Sequence, residues 1–108
     1  SYKIVKFFKL LNIKNCGITF DTGNIFLKNK SILKIFKLIK DLINHVHIKD
    51  RNICGNNVEL GTGLINFKIF FDILKKENYS DTITLETFRD KNAILQASKN
   101  ITYLNKIL

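Results

Sequence analysis

The chain has 108 residues, 45% hydrophobic and 25% charged, the balance of one small globular domain rather than a disordered tail. No run approaches the roughly 18 consecutive apolar residues of a membrane span. The net charge of +9 raises a nucleic-acid reading, but arginine occurs only at Arg51 and Arg89. The lysines are scattered through every helical segment, asparagine and isoleucine are abundant and proline is absent, so the charge reads as a chain-wide bias and a solvated surface, with no nucleic-acid or membrane partner.

Cys16 and Cys54 fit neither a disulfide framework nor a paired metal motif and read as thiols of a reducing, cytoplasmic compartment. The chain begins at Ser1 and contains no methionine, which reads as a processed chain or a fragment.

In chain order, residues 2–11 place Ile4, Val5, Phe7, Phe8, Leu10 and Leu11 at helical spacing, with lysines between them. Residues 17–21 form a short strand, and Asp21-Thr-Gly-Asn24 reads as a turn in which Gly23 is free to take positive φ. Ser31 is a candidate N-cap for a helix over 32–43, whose apolar residues recur at 32, 35, 36, 39, 42 and 43. The strand Ile43–Lys49 follows, then a polar loop over 50–65 containing Gly55, Gly61 and Gly63. Asn66 caps a helix to about Lys76 with Phe67, Phe70, Phe71 and Leu74 on its apolar side. Thr82–Glu86 is a third strand, and a last helix runs from about Asp90 to Leu108.

Strand–helix alternation implies an α/β fold of parallel strands joined by right-handed crossovers. Three units give three strands, whereas a closed eight-stranded barrel needs about 250 residues. The expectation is a single domain, residues 1–108, forming the C-terminal portion of a (β/α)8 TIM barrel: three strand–helix units and a preceding helix. The alternative is a small open α/β sheet. Side-chain alternation then separates two faces. Ile18, Phe20, Val46, Ile48, Ile83 and Leu85 share the apolar face. Thr19, Asp21, His45, His47, Lys49, Thr82, Thr84 and Glu86 share the polar one. Asp21, His47 and Glu86 fall near the strands' C-terminal ends, where barrel active sites form. Any one of them alone is an ordinary turn or cap residue. Together, two carboxylates and an imidazole on one face can hold a divalent cation.

The runs GITFDTGN, HVHIKDRN, VELGTGLINFKIFFDILKKENY and TITLET, in that order over about residues 15–90, resemble the later strands of xylose-isomerase-like barrels, the sugar phosphate isomerase/epimerase superfamily. DTGN, HIKD and LGTG are most similar to the ketose and pentulose-phosphate 3-epimerase branch. The resemblance implies that Asp21, His47 and Glu86 are metal ligands for Mn²⁺, Mg²⁺, Co²⁺ or Zn²⁺, and that Glu86 also transfers a proton. The chemistry it implies is isomerisation or epimerisation of a sugar or sugar phosphate through an enediolate, with a Lewis acid polarising the ketose carbonyl. Asn24 stands where many members have a histidine contacting substrate, and Arg51 and Arg89 follow two strand ends where they could hold a phosphate or hydroxyls. His45 reads as a packing or hydrogen-bonding residue, and Lys49 and Asp50 as a pair or a loop-orienting unit.

Glu59 departs from the proline common before this Leu-Gly pair. The resemblance also implies a further metal-binding glutamate on earlier strands, so the chain alone, with three of four ligands, is expected to be inactive. Two other readings remain: a non-catalytic remnant that self-associates through the open barrel edge, and an apurinic endonuclease of the same superfamily. The latter calls for an Asp-x-His motif after the middle strand, and residues 50–66 contain no histidine.

Overall fold

The computed structural model describes residues 2–11, 15–26, 32–88 and 91–108. The elements are α1 (Tyr2–Leu11), β1 (Ile18–Asp21), α2 (Thr22–Phe26), α3 (Ile32–Ile39), β2 (Ile43–Ile48), β3 (Asp50–Arg51), β4 (Asn57–Val58), α4 (Phe67–Lys76), β5 (Thr82–Leu85) and α5 (Ala93–Ile107). Among the described residues, β1, β2 and β5 form a parallel sheet with β2 in the centre. The register sets Asp21 beside His47, and His47 beside Thr84. Each parallel step is bridged by helices, as the alternation requires.

The apolar face carries the core. Phe20, Val46 and Ile48 are fully buried against Phe36 and Ile39 of α3 and Phe67, Phe70, Phe71 and Leu74 of α4. Phe20 packs edge-on to Phe36 at 5.3 Å between centroids and stacks on Phe70 at 5.8 Å. Both distances lie in the range where aromatic pairs gain beyond area burial. Tyr103, Leu104 and Ile107 of α5 pack against the same cluster. Ile83, beside Val46 in register, stays 38% exposed, since β5 pairs with β2 on one side only.

Four local features differ from the sequence expectation. Thr22–Phe26 is a short helix rather than an open turn, because Asp21 doubles as its cap: Asn24 N donates to Asp21 Oδ1 at 2.9 Å. The helix expected to reach residue 43 closes at Ile39 and tightens into a 3₁₀ turn, Lys40–Leu42. Ile43 fits the helical spacing but is the first core-facing residue of β2. The 50–65 loop contains a β3–β4 hairpin, with Asn52 Oδ1 accepting from the amides of Cys54 and Asn56 at its tip. The last helix is capped by Asn92, which accepts from Leu95 N, and so starts later than Asp90. Asn66 caps α4 as expected. Ser31 and Arg89 lie outside the described residues. No helix among the described residues is long and apolar enough to cross a membrane.

Candidate metal centre

Asp21, His47 and Glu86 meet at the C-terminal ends of three neighbouring parallel strands. Asp21 closes β1, His47 is the penultimate residue of β2, and Glu86 follows β5 directly. The last of these is held by the sheet: Glu86 N donates to Ile48 O at 3.0 Å. One ligand-capable atom from each of the three side chains lies within 4.8 Å of the others. His47 Nδ1 sits 2.6 Å from Glu86 Oε2. An ionised carboxylate only accepts, so Nδ1 is the donor in this contact. Two carboxylate oxygens and an imidazole nitrogen converging from adjacent strands suit a divalent cation of the Mn, Mg, Co or Zn group. The residues therefore fit the metal that their types suggest.

Lys49 completes the cluster. Its Nζ is 3.1 Å from Asp21 Oδ2 and 2.7 Å from Glu86 Oε1, and the residue is 5% exposed. Burial works to lower its pKa, but hydrogen bonds to Glu86 and Asp21 and the field of both carboxylates outweigh that and raise it above the ordinary lysine value. The Lys49 hydrogen bond in turn holds the Glu86 carboxyl below its ordinary value; burial opposes this, and His47 adds to it. The sequence pointed to Lys49 only as part of a pair or loop-orienting unit with Asp50. The structure separates the two: Lys49 turns to the strand ends, and Asp50 takes the loop amides. Period-two parity with His47 was the available signal.

Asn24 and Arg51 adjoin this corner. Arg51 Nη2 donates to Asn24 Oδ1 at 3.0 Å, and Nη1 donates to Gly55 O at 2.6 Å. The structure thus sets Asn24 and Arg51 next to the Asp21 end of the cluster. His45 hydrogen-bonds Thr84 across the sheet at 3.0 Å and lies edge-on to His47.

Two supports escaped the sequence reading. Thr22 is fully buried; its Oγ1 donates to Lys49 O and accepts from Lys49 N, tying β1 to the end of β2. Asn100 of α5, 1% exposed, accepts from Leu60 N and donates to Thr87 Oγ1, joining the glycine loop to the residue after Glu86. Gln96 and Asn100, at helical spacing, interrupt the stripe that Tyr103, Leu104 and Ile107 continue, and that interruption was the sequence signal.

Comparison with known proteins places this geometry in a family. SgbU of Haemophilus influenzae, provisionally named an L-ribulose-5-phosphate 3-epimerase, is 32% identical over 91 residues, covering 73% of this chain and 32% of that protein. Among solved structures, D-allulose 3-epimerase from Methylomonas sp. superposes with a TM-score of 0.79 at 22% identity, over 96% of this chain and 41% of that one. The 3-keto-D-glucoside 4-epimerase YcjR of E. coli gives 0.78 at 20% identity, over 94% and 37%. At these identities the solved structures speak for the fold: α/β with the parallel strands of a partial TIM barrel. The chain spans about a third of the length of the curated relative it matches. The family described as the xylose isomerase-like TIM barrel matches residues 2–107, nearly the whole chain, and the protein belongs to it.

Proposed function

We propose that this chain is the C-terminal portion of a metal-dependent sugar or sugar-phosphate isomerase or epimerase, with Asp21, His47 and Glu86 as metal ligands. The observation that carries the reading is the convergence of the three side chains, from three adjacent strand ends, to within 4.8 Å. The curated relative and the two solved structures above are all named as sugar epimerases, which supports the substrate class.

When bound, the divalent cation supplies Lewis-acid polarisation of a ketose carbonyl. This chain's residues contribute part of the remaining chemistry. The Glu86 carboxylate takes the proton from the carbon beside the carbonyl, leaving an enediolate, and a proton returned to carbon completes the reaction. Lys49 holds the Glu86 carboxyl below its ordinary value, which keeps it in the ionised form a base requires at some cost in basicity. Asp21 is oriented by the Asn24 amide and Lys49. Asn24 and Arg51 offer an amide and a guanidinium for sugar hydroxyls or a phosphate, and we assign Arg89 the same class of contact. Asn24 forms hydrogen bonds there but cannot act as a general acid near neutral pH.

Calorimetric titration of the chain with Mn²⁺ or Co²⁺ tests the site. Binding is expected, and Glu86→Gln and His47→Asn are each expected to weaken it by about tenfold or more. No metal-dependent heat at millimolar ion would sink the reading.

A further inference from the structure

Lys49 touches two of the three donor side chains at once, and its placement is built rather than incidental. Its backbone is clasped on both sides by the Thr22 hydroxyl, at 2.8 Å through the carbonyl and 3.0 Å through the amide. Its stem runs against Gly23, where an added Cβ would come within 3.0 Å of Lys49 Cγ and Cδ. Any side chain at 23 would press on the lysine stem and shift it by a few tenths of an ångström. A lysine this buried is rare unless paired, and here the partners are Asp21 and Glu86.

The contacts have two opposite consequences for a cation. They fix the carboxylates, which favours binding. They also bring a positive charge beside the place a dication would occupy, which opposes it. The second effect is the larger, because both carboxylates have other partners. Asp21 Oδ1 accepts from Asn24 N, and Glu86 Oε2 is held by His47 Nδ1. Orientation therefore survives loss of the lysine, whereas the repulsion that an ammonium touching both carboxylates would exert on a dication held by them disappears with it.

Resting on the metal-site reading above, we propose that Lys49 is a resident counter-cation. It offsets part of the negative charge of Asp21 and Glu86 in the metal-free protein and holds down the affinity of the site for a divalent cation. Lys49 is thus a positioning and affinity-setting residue rather than a ligand.

The test is Mn²⁺ titration by calorimetry of the 108-residue chain and its Lys49→Met and Lys49→Arg variants, with melting temperatures measured with and without Mn²⁺. Lys49→Met is expected to bind Mn²⁺ at least about tenfold more tightly and to gain more melting temperature from it, while Lys49→Arg, which keeps the charge, stays within about threefold of wild type. Wild-type binding with equal or weaker binding by Lys49→Met overturns this inference and leaves the metal site standing. No Mn²⁺ heat from wild type or from either variant sinks the metal site and the inference with it. If Lys49→Met does not fold, Lys49→Gln, which keeps a donor without the charge, carries the same expectation. If neither folds metal-free, recovery of the native circular dichroism spectrum on adding Mn²⁺ supports the proposal, and failure to recover overturns it.

Discussion

Asp50 is fully buried, and its carboxylate accepts from four backbone amides. Oδ1 takes Arg51 N and Ile65 N at 2.8 and 3.2 Å, and Oδ2 takes Gly61 N and Gly63 N at 3.0 and 2.9 Å. A single side chain thereby shapes the glycine loop next to the strand ends. The loop needs glycine at 61: φ is +81°, and a Cβ there would run into the Tyr103 ring. Replacing Asp50 by Asn keeps the shape but turns an NH₂ group toward N–H donors, leaving buried amides unpaired. Asp50→Asn is expected to lower stability by about 2–3 kcal/mol in urea denaturation and to speed hydrogen exchange at Gly61 and Gly63. A loss within error of zero would show that the loop is held by other contacts.

Between elements, Lys40 in the 3₁₀ turn ahead of β2 meets Glu77 at the C-cap of α4, Nζ to Oε2 at 2.7 Å. The hydrogen bond to Lys40 holds the Glu77 carboxyl below its ordinary value, and the same bond raises Lys40. The signs give two limbs. A depressed carboxyl contributes stability that is present above the ordinary glutamate range, near pH 4–5, and fades as pH falls through the folded value. A raised lysine contributes stability that is present below the ordinary lysine range and fades as pH rises through the folded value, above about 10. The melting-temperature difference between wild type and Glu77→Gln is therefore expected to be largest near neutral pH and to shrink toward both ends. A difference that stays constant from pH 3 to 11 would contradict the ion pair. The pair is solvent-exposed, so added salt should reduce the difference as well.

For the whole molecule, the polar face is positioned by what lies behind it. Phe20 of β1, between Phe36 and Phe70, backs the strand that ends in Asp21. Val46 and Ile48 bracket His47 and face the same cluster. Phe36→Ala is expected to lose about 3–5 kcal/mol, a large share of the roughly 5–15 kcal/mol that holds a domain of this size. Chemical denaturation would measure it, and the apparent Mn²⁺ affinity should fall in proportion to the folded fraction. Retained stability would mean that the cluster collapses around the missing ring.

Strand–helix alternation, parallel pairing and the two-faced strands were legible in the residues, because period-two and period-3.6 patterns record which side of each element meets the core. Parity along GITFD, HVHIK and TITLE also put Asp21, His47, Lys49 and Glu86 on one face. Strand register and partner choice were not legible, because they depend on pairings 25 to 37 residues apart in the chain. Local pattern says which way Lys49 points, but only the packing of β1 and β5 on either side of β2 decides that its ammonium ends between Asp21 and Glu86 rather than beside Asp50. The same holds for Thr22 and Asn100, polar residues whose partners exist only after distant segments are brought together.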